Sequence, residues 1–364
     1  MALTAVDLFA GAGGCSTGLL QAASRRDERV SLVAVNHWPI AVETHRRNHP
    51  DARHFCQAVE TVDPREAVPS GTLDLLIAAP ECTHHSAARG GRPMNDQSRA
   101  SAWHVLRWLE LLQVREVLLE NVAEFQTWGP LGRNQRPLKS RRGETFRAFV
   151  AAIESYGYRV EWKVLNAADY GAATTRRRLF LRASKRRGPI AWPAPTHSKT
   201  GSSTLFGGTK RWRAAREVID WSLPSQSIFT RKKPLRPATM RRIMEGLRRF
   251  GGEEIKPFLL GQQSGAVPRP VTEPVPTVAT DGAIGLIEPF LTEYYGNGGA
   301  QSVNEPVPTV TTHDRFALVQ PVVNGLALDI RFRMLQPHEL SAAMSFPTGY
   351  AFAGNKGDAI KQIG

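Results

Sequence analysis

The feature that most constrains this chain is the largely apolar run at residues 73–78, which ends in Ala78-Ala79-Pro80-Glu81-Cys82-Thr83-His84-His85-Ser86. Such a run reads as a buried parallel strand. Cys82 then emerges at the carboxyl end, where open α/β sheets place their chemistry. A thiol there is a candidate nucleophile, although a lone cysteine is more often a small buried apolar residue. Support comes from two further strand ends. Residues 117–122 are an apolar run closed by Glu120-Asn121, and Arg176-Arg177-Arg178 leads into the apolar residues 179–181. Thiol, carboxyl and guanidinium groups at neighbouring strand ends form a constellation.

The amino-terminal segment, residues 5–9, is a short apolar strand that runs straight into Ala10-Gly11-Ala12-Gly13-Gly14, and an amphipathic helix is expected from about 16 to 23. Glycines at this junction let the backbone turn tightly and approach a ligand closely, as a nucleotide-type cofactor requires. The spacing is not GxGxxG, which disfavours NAD. The next strand, 30–35, ends in Asn36-His37-Trp38. A polar residue there suits a ribose, and Trp38 suits either an adenine or the start of the helix at 40–48. His45 and His49 lie four apart on that helix. With no third ligand nearby they read as a solvated face rather than a metal site, and no metal is expected.

Composition narrows the class. In 364 residues, 47 Lys and Arg against 33 Asp and Glu leave a formal net charge of +14, which favours a polyanionic partner. No basic amphipathic anchor and no run of about twenty apolar residues stands out, so no membrane partner is expected. Cys15, Cys56 and Cys82 lack CxxC spacing, against both a disulfide framework and structural zinc. A soluble protein of a reducing compartment is expected.

Asp7-Leu8-Phe9-Ala10-Gly11-Ala12-Gly13-Gly14, Pro80-Glu81-Cys82, Glu120-Asn121-Val122 and the stretch 166–178 resemble, in order and spacing, the motifs of the cytosine-C5 DNA methyltransferases. The motif-bearing parts span about 4–185 and 328–364. The resemblance implies a doubly wound, Rossmann-like α/β fold that binds S-adenosyl-L-methionine, with a smaller, irregular target-recognition domain. The expected division is 1–185 catalytic and cofactor-binding, 186–325 target-recognition, and 326–364 returning to the catalytic part. Cys82 is implied as the nucleophile that adds to carbon 6 of cytosine, and Glu120 as the acid that donates to N3. Asn121 is implied to orient the loop. Arg176 is implied to hold the nucleophile loop or a phosphate, and Arg178 the base carbonyl. Phe9, Gly11, Gly13, Gly14, His37, Trp38 and Pro80 are implied to hold the cofactor. Base flipping, a double-stranded DNA partner, a monomeric state and a cytoplasmic setting in a bacterium or phage follow from the same likeness, within a restriction-modification or DNA-protection system. It leaves open whether a cognate restriction endonuclease accompanies the chain. An RNA (tRNA) methyltransferase of the same lineage and a decayed DNA-binding relative are the alternatives.

Several positions depart from the family pattern. Glu81 and Thr83 flank Cys82 where proline and glutamine are usual, and a carboxylate beside a thiol raises its pKa unless cations compensate. His37 stands in place of the ribose-binding acid, Ala58 in place of an adenine-contacting aspartate, and Thr174 in place of the glutamine that opens the arginine motif. Serine is retained at Ser86. In the family the last motif continues beyond the point reached by Gly364.

The intervening stretches read as follows. Residues 101–112 carry apolar side chains at helical spacing. Residues 128–143, rich in Gly, Pro and Arg, read as a loop with Lys139, Arg141 and Arg142 as candidates for phosphate contact or plain solvation. A helix at 145–155 and a strand at 159–165 follow. From about 185 to 320 proline and glycine punctuate the chain, which argues against a second regular α/β unit. Within it Glu273-Pro274-Val275-Pro276-Thr277-Val278 recurs as Glu305-Pro306-Val307-Pro308-Thr309-Val310, read as paired extended segments. The glycine-rich stretch 294–299 between the copies reads as a mobile loop, and a helix starts at Pro337.

Overall fold

The computed structural model describes residues 2–81, 100–204, 207–250, 290–293, 299–313, 315–324 and 327–364. Two compact units emerge. One comprises Met1–Asp169, Arg176–Pro195 and Phe346–Gln362; the other comprises Tyr170–Thr175, Thr196–Ser345 and Ile363–Gly364.

The first unit is built on a seven-stranded sheet. Its strands are β1 (Leu3–Leu8), β2 (Val30–Val35), β3 (Arg53–Phe55), β4 (Thr72–Ala78), β5 (Gln113–Val122), β6 (Arg159–Asn166) and β7 (Arg177–Ser184), in the order β3-β2-β1-β4-β5-β7-β6. β1 to β5 run parallel and β7 is antiparallel to both neighbours. The parallel strands are covered on both faces, which is why they read as apolar runs rather than alternating ones. Val6, Leu8, Leu76, Val117 and Leu119 are each at most 1 % exposed.

Helices α1 (Gly14–Ser24), α2 (Pro39–Asn48), α3 (Pro64–Ala67), α4 (His104–Leu111) and α5 (Glu144–Ser155) make the crossovers. Trp108 of α4 and Phe149 and Ile153 of α5 are fully buried in the same core as the strands. The register matters for the site. Leu8 pairs with Val35 and with Ala78, and Ala78 pairs with Leu119, so β1, β2 and β4 end in one row while β5 runs on to Val122. Phe9, Asn36, Ala79 and Glu120, the next residue of each, therefore stand along one edge. The strand order reverses between β1 and β4, the place where doubly wound sheets bind ligands.

The second unit carries more regular structure than its proline content suggests. Short strands β8 (His197–Ser198), β9 (Ser202–Thr204) and β10 (Gly207–Arg211) form a small sheet. β11 (Gln226–Ser227), β12 (Phe290–Glu293), β13 (Ala300–Ser302), β14 (Phe316–Asn324) and β15 (Ala327–Met334) form an antiparallel one in the order β11-β15-β14-β12-β13. Helix α6 (Pro237–Phe250) packs on it with Met240, Ile243, Met244 and Leu247, a helical stripe whose basic neighbours Arg241 and Arg242 lie off the core. Gly246 lies so close to Phe290 that a Cβ would sit 2.0 Å from its ring, which is why no larger residue stands there. Helix α7 (Pro337–Ala343) ends this stretch of the second unit, and α8 (Lys356–Ile363), all but its last residue in the first unit, closes the chain. Of the repeated segment, the copy at Glu305 makes one isolated parallel bridge, Val307 to Thr174, with Val307 and Val310 buried and the Val307 amide donating to the Ala173 carbonyl. The copy at Glu273 and residues 294–298 lie outside the described residues.

Candidate active site

The carboxyl edge of the first unit's sheet gathers most of the singled-out side chains. Glu120 and Val122 project from the same face of β5, and Arg178 of β7 pairs in register with Val122, so Arg178 is the diagonal neighbour of Glu120. Their side chains meet, with Arg178 Nε 3.1 Å from Glu120 Oε1, at 14 % and 21 % exposure. Arg177, one residue earlier and on the opposite face, is exposed, whereas Arg176 is half-buried. Asn121 is buried; its side-chain amide donates to the Pro80 carbonyl at 3.1 Å, and its Oδ1 accepts from the Val122 amide. The end of β4 is thereby tied to the end of β5. Cys82 itself lies outside the described residues, as do Thr83, His84, His85 and Ser86.

The glycine turn after β1 has unusual backbone. Phe9, Gly11 and Gly13 all have positive φ, at 59°, 54° and 92°. At Phe9 that conformation is strained for a side-chain-bearing residue, and such strain concentrates at ligand sites. At Gly11 a Cβ would meet nothing nearer than the Phe9 carbonyl oxygen at 3.9 Å, so space lies open above it. The residues of this turn therefore fit a nucleotide-type cofactor, because the backbone is left bare for close approach. His37 is exposed, and Trp38 is half-buried at the start of α2 with Lys361 Nζ 4.1 Å from its ring centroid. Cys15, half-buried at the start of α1, shares the electrostatic neighbourhood of the edge. Burial, Asp7 and Glu120 push its thiol well above the ordinary range, and Arg176 opposes them.

Behind the turn lies a buried polar network. Ser16 Oγ donates to Asp7 Oδ2 at 2.6 Å, so it accepts from His45 Nε2 at 3.0 Å. That leaves His45 Nδ1 to accept from His54 Nε2 at 2.8 Å. Thr17 Oγ1 donates to the Gly13 carbonyl at 2.7 Å and faces His49 Nε2 at 3.0 Å, while Tyr350 donates to the Ala12 carbonyl. His45 and His49 are thus buried, at 1 % and 8 % exposure, and their expected solvated face is corrected. Helix periodicity does not reveal which polar partners a face will meet. The one local signal was Asp7, a lone charge inside an apolar strand. At Gly13 a Cβ would come within about 3 Å of His45, Tyr350 and His49, so the glycine is also required sterically.

This network gives a pH dependence with a definite sign. Burial, opposed by the Ser16 hydrogen bonds, raises Asp7 from 3.8 to about 7. Burial, aided by His49 and His54, lowers His45 from 6.5 to about 3. From pH 7 down to about 4 the folded chain keeps the Asp7 proton that the unfolded chain releases, so this group favours folding increasingly as pH falls. Below about 6.5 the unfolded chain takes up a proton that buried His45 refuses, which opposes folding increasingly. The two slopes cancel between about 4 and 6.5. Asp7→Asn removes the first alone. The stability of the natural chain relative to this variant is expected to rise by about 1.4 kcal/mol per unit as pH falls from 7 to 4. Urea unfolding across that range checks it, and parallel curves would contradict it.

Against this geometry, the family description "C-5 cytosine-specific DNA methylase" matches residues 3–364. The chain belongs to that family. Among curated relatives, the type II methyltransferase M1.HphI of Haemophilus parahaemolyticus is 31 % identical over 204 residues, covering 55 % of this chain and 50 % of that protein. M.AgeI of Thalassovita gelatinovora is 29 % identical over 198 residues, covering 53 % and 42 %. The chain thus spans about half the length of the curated relatives it matches. Among solved structures, a DNMT2 variant from Spodoptera frugiperda aligns over all of this chain and 95 % of its own, with TM-score 0.55 and 14 % identity. Dnmt2 methyltransferase of S. pombe aligns over 100 % and 93 %, with TM-score 0.55 and 12 % identity. These two speak to fold: an α/β methyltransferase sheet. Among the described residues no helix is long and apolar enough to cross a membrane, and no group of three or more His, Cys, Asp or Glu is arranged to hold a metal ion.

Proposed function

We propose that the protein methylates carbon 5 of cytosine in double-stranded DNA, with the sheet edge of the first unit as its active site. The observation that carries this is the Glu120–Arg178 pair, placed at the carboxyl end of β5 beside the open glycine turn, in a chain of this family.

Carbon 5 is a poor nucleophile until a group adds at carbon 6. Cys82, as thiolate, forms that carbon–sulfur bond while Glu120 gives a proton to N3, so that carbon 5 becomes the nucleophilic end of an enamine. Arg178, already beside Glu120, holds the base carbonyl, and Arg176 braces the loop bearing Cys82 or a phosphate. Asn121 orients that loop through the Pro80 carbonyl. S-adenosyl-L-methionine, held by Phe9, Gly11, Gly13, Gly14, His37, Trp38 and Pro80, supplies an electrophilic methyl group when bound. Once carbon 5 carries the methyl, loss of its proton, expulsion of the Cys82 thiolate and return of the N3 proton to Glu120 restore the ring. The target base must leave the duplex stack to reach these groups.

In this reading residues 1–185 do the chemistry, 186–325 read the DNA, and 326–364 return to the catalytic part. The protein acts as a cytoplasmic monomer of a bacterium or phage, within a restriction-modification or DNA-protection setting. Incubation with methyl-labelled donor and duplex DNA, followed by digestion to nucleosides, is expected to give labelled 5-methyldeoxycytidine. Label found only in tRNA would replace the reading with the RNA one.

A further inference from the structure

β7 runs antiparallel to both β5 and β6, so β6 is parallel to β5, and α5 must cross back from the carboxyl edge of the sheet to its amino edge. The segment between Val122 and Glu144 therefore leaves from and returns to the edge that carries Glu120 and Arg178. After a short turn of 3-10 helix (Ala123–Thr127), residues 128–143 form a closed hairpin rather than a loose loop. Leu131 bridges to Pro137. The Gly132 amide donates to the Arg136 carbonyl, Leu138 to Pro130, and Gly143 to Thr127. Gly129 lies so near the Arg141 carbonyl that a Cβ would sit 2.2 Å from its oxygen. Beneath the hairpin, Phe125, Trp128, Phe146 and Phe149 pack together in the core with ring centroids 5.2–6.2 Å apart.

This anchored hairpin carries five basic and no acidic side chains. Arg141 is satisfied by Glu144, its Nε 2.7 Å from the carboxylate. Arg133, Arg136, Lys139 and Arg142 are exposed, and among the described residues none of them makes an ion pair. Four like charges thus stand within ten residues of one closed hairpin. A hairpin fixed by backbone bonds and an aromatic base keeps these cations together, a concentrated positive patch that suits a polyanion.

We propose that residues 130–143 form a phosphate-binding rim that grips the DNA backbone beside the Glu120 end of the sheet; this rests on the DNA-methylating reading above. The rim meets phosphate, not base edges, because the side chains are flexible cations on a short tip rather than an element shaped for a groove. It adds affinity without specificity.

The test uses a fluorescein-labelled duplex containing cytosines, because phosphate binding does not depend on sequence. Binding is followed by anisotropy at several salt concentrations, for the full chain and for a variant with Arg133→Gln, Arg136→Gln, Lys139→Gln and Arg142→Gln. The slope of log Kd against log salt is expected to fall by about 0.9 for each phosphate that the variant leaves unneutralised, up to about 3.6 for four. KM for DNA should rise roughly tenfold or more, with kcat at saturating DNA and the urea midpoint unchanged. A companion variant with Arg133→Lys, Arg136→Lys and Arg142→Lys should keep the natural slope, since only charge is needed. Equal slopes for the natural chain and the glutamine variant, with DNA still methylated, would overturn the rim and leave the methylation reading standing. A slope change seen with tRNA and absent with duplex DNA would overturn it in favour of an RNA partner. Failure of the natural chain to bind the duplex, or to methylate genomic DNA that offers it every short sequence, would overturn the methylation reading and the rim together.

Discussion

Glu120→Gln is expected to lower kcat for methyl transfer to DNA by about 10²–10⁴-fold, the usual contribution of a positioned proton donor. The amide keeps the shape of the carboxyl and leaves the β5–β7 register intact, but it has no acidic proton to give to N3. It also strips Arg178 of its counter-charge at a site only 14 % exposed. Binding of the methyl donor is expected to stay within about twofold, because the glycine turn and the end of β2 do not depend on this pair. Steady-state kinetics together with donor binding by calorimetry check the split. If the Glu120–Arg178 pair served the fold alone and neither side chain met the base, the variant would lose stability and keep its kcat.

The largest expected effect on stability lies in the second unit. Arg333 and Glu339 are 8 % and 0 % exposed in their side chains and bond through two guanidinium nitrogens, at 2.7 and 2.8 Å. Glu339 also accepts from the backbone amides of Asp220 and Gln336, at 2.8 and 2.6 Å, and Arg333 donates to the Asp220 carbonyl at 2.8 Å. Three chain segments thus converge on one ion pair, tying the end of β15 to the start of α7. Glu339→Ala leaves a buried guanidinium without its partner and should cost about 3–5 kcal/mol. Replacing both residues, Arg333→Met with Glu339→Leu, is expected to recover much of that loss, because the desolvation penalty disappears along with the attraction. Urea unfolding of the two variants measures the difference. A loss below about 1 kcal/mol for Glu339→Ala would show that the pair contributes no more than a solvent-exposed one.

The first unit was legible because its physics is local. Parallel strands buried on both faces leave continuous apolar runs, and the turns that end them carry glycine or polar residues within a position or two of the edge. Phe9 to Gly14, Pro80 and Glu120 could therefore be placed on one edge from sequence alone. The Glu120–Arg178 contact could not be, since it follows from the antiparallel register of two strands distant in the chain. Nor could the clamp on the glycine turn, where Thr17, His49 and Tyr350 come from three separate segments.

In the second unit composition obscured the pattern. The stripe Met240, Ile243, Met244 and Leu247 has helical spacing, but the adjacent arginines and the surrounding prolines have the composition of loops. β14 contains Pro321 paired in register with Ile330, a residue type that argues against a strand wherever the partner strands are unknown. Long-range pairing, rather than propensity, builds that sheet.

The central claim, that the chain attacks cytosine covalently through Cys82, is tested most directly with a duplex in which 5-fluorodeoxycytidine replaces cytosine. Fluorine at carbon 5 cannot leave as a proton does, so a thiolate that has added at carbon 6 stays attached after methyl transfer. With the methyl donor present, the natural chain should give a protein–DNA complex that survives denaturing electrophoresis, and Cys82→Ala should give none. A natural chain that methylates ordinary DNA yet leaves no such complex, or a Cys82→Ala variant that still forms one, would contradict the account.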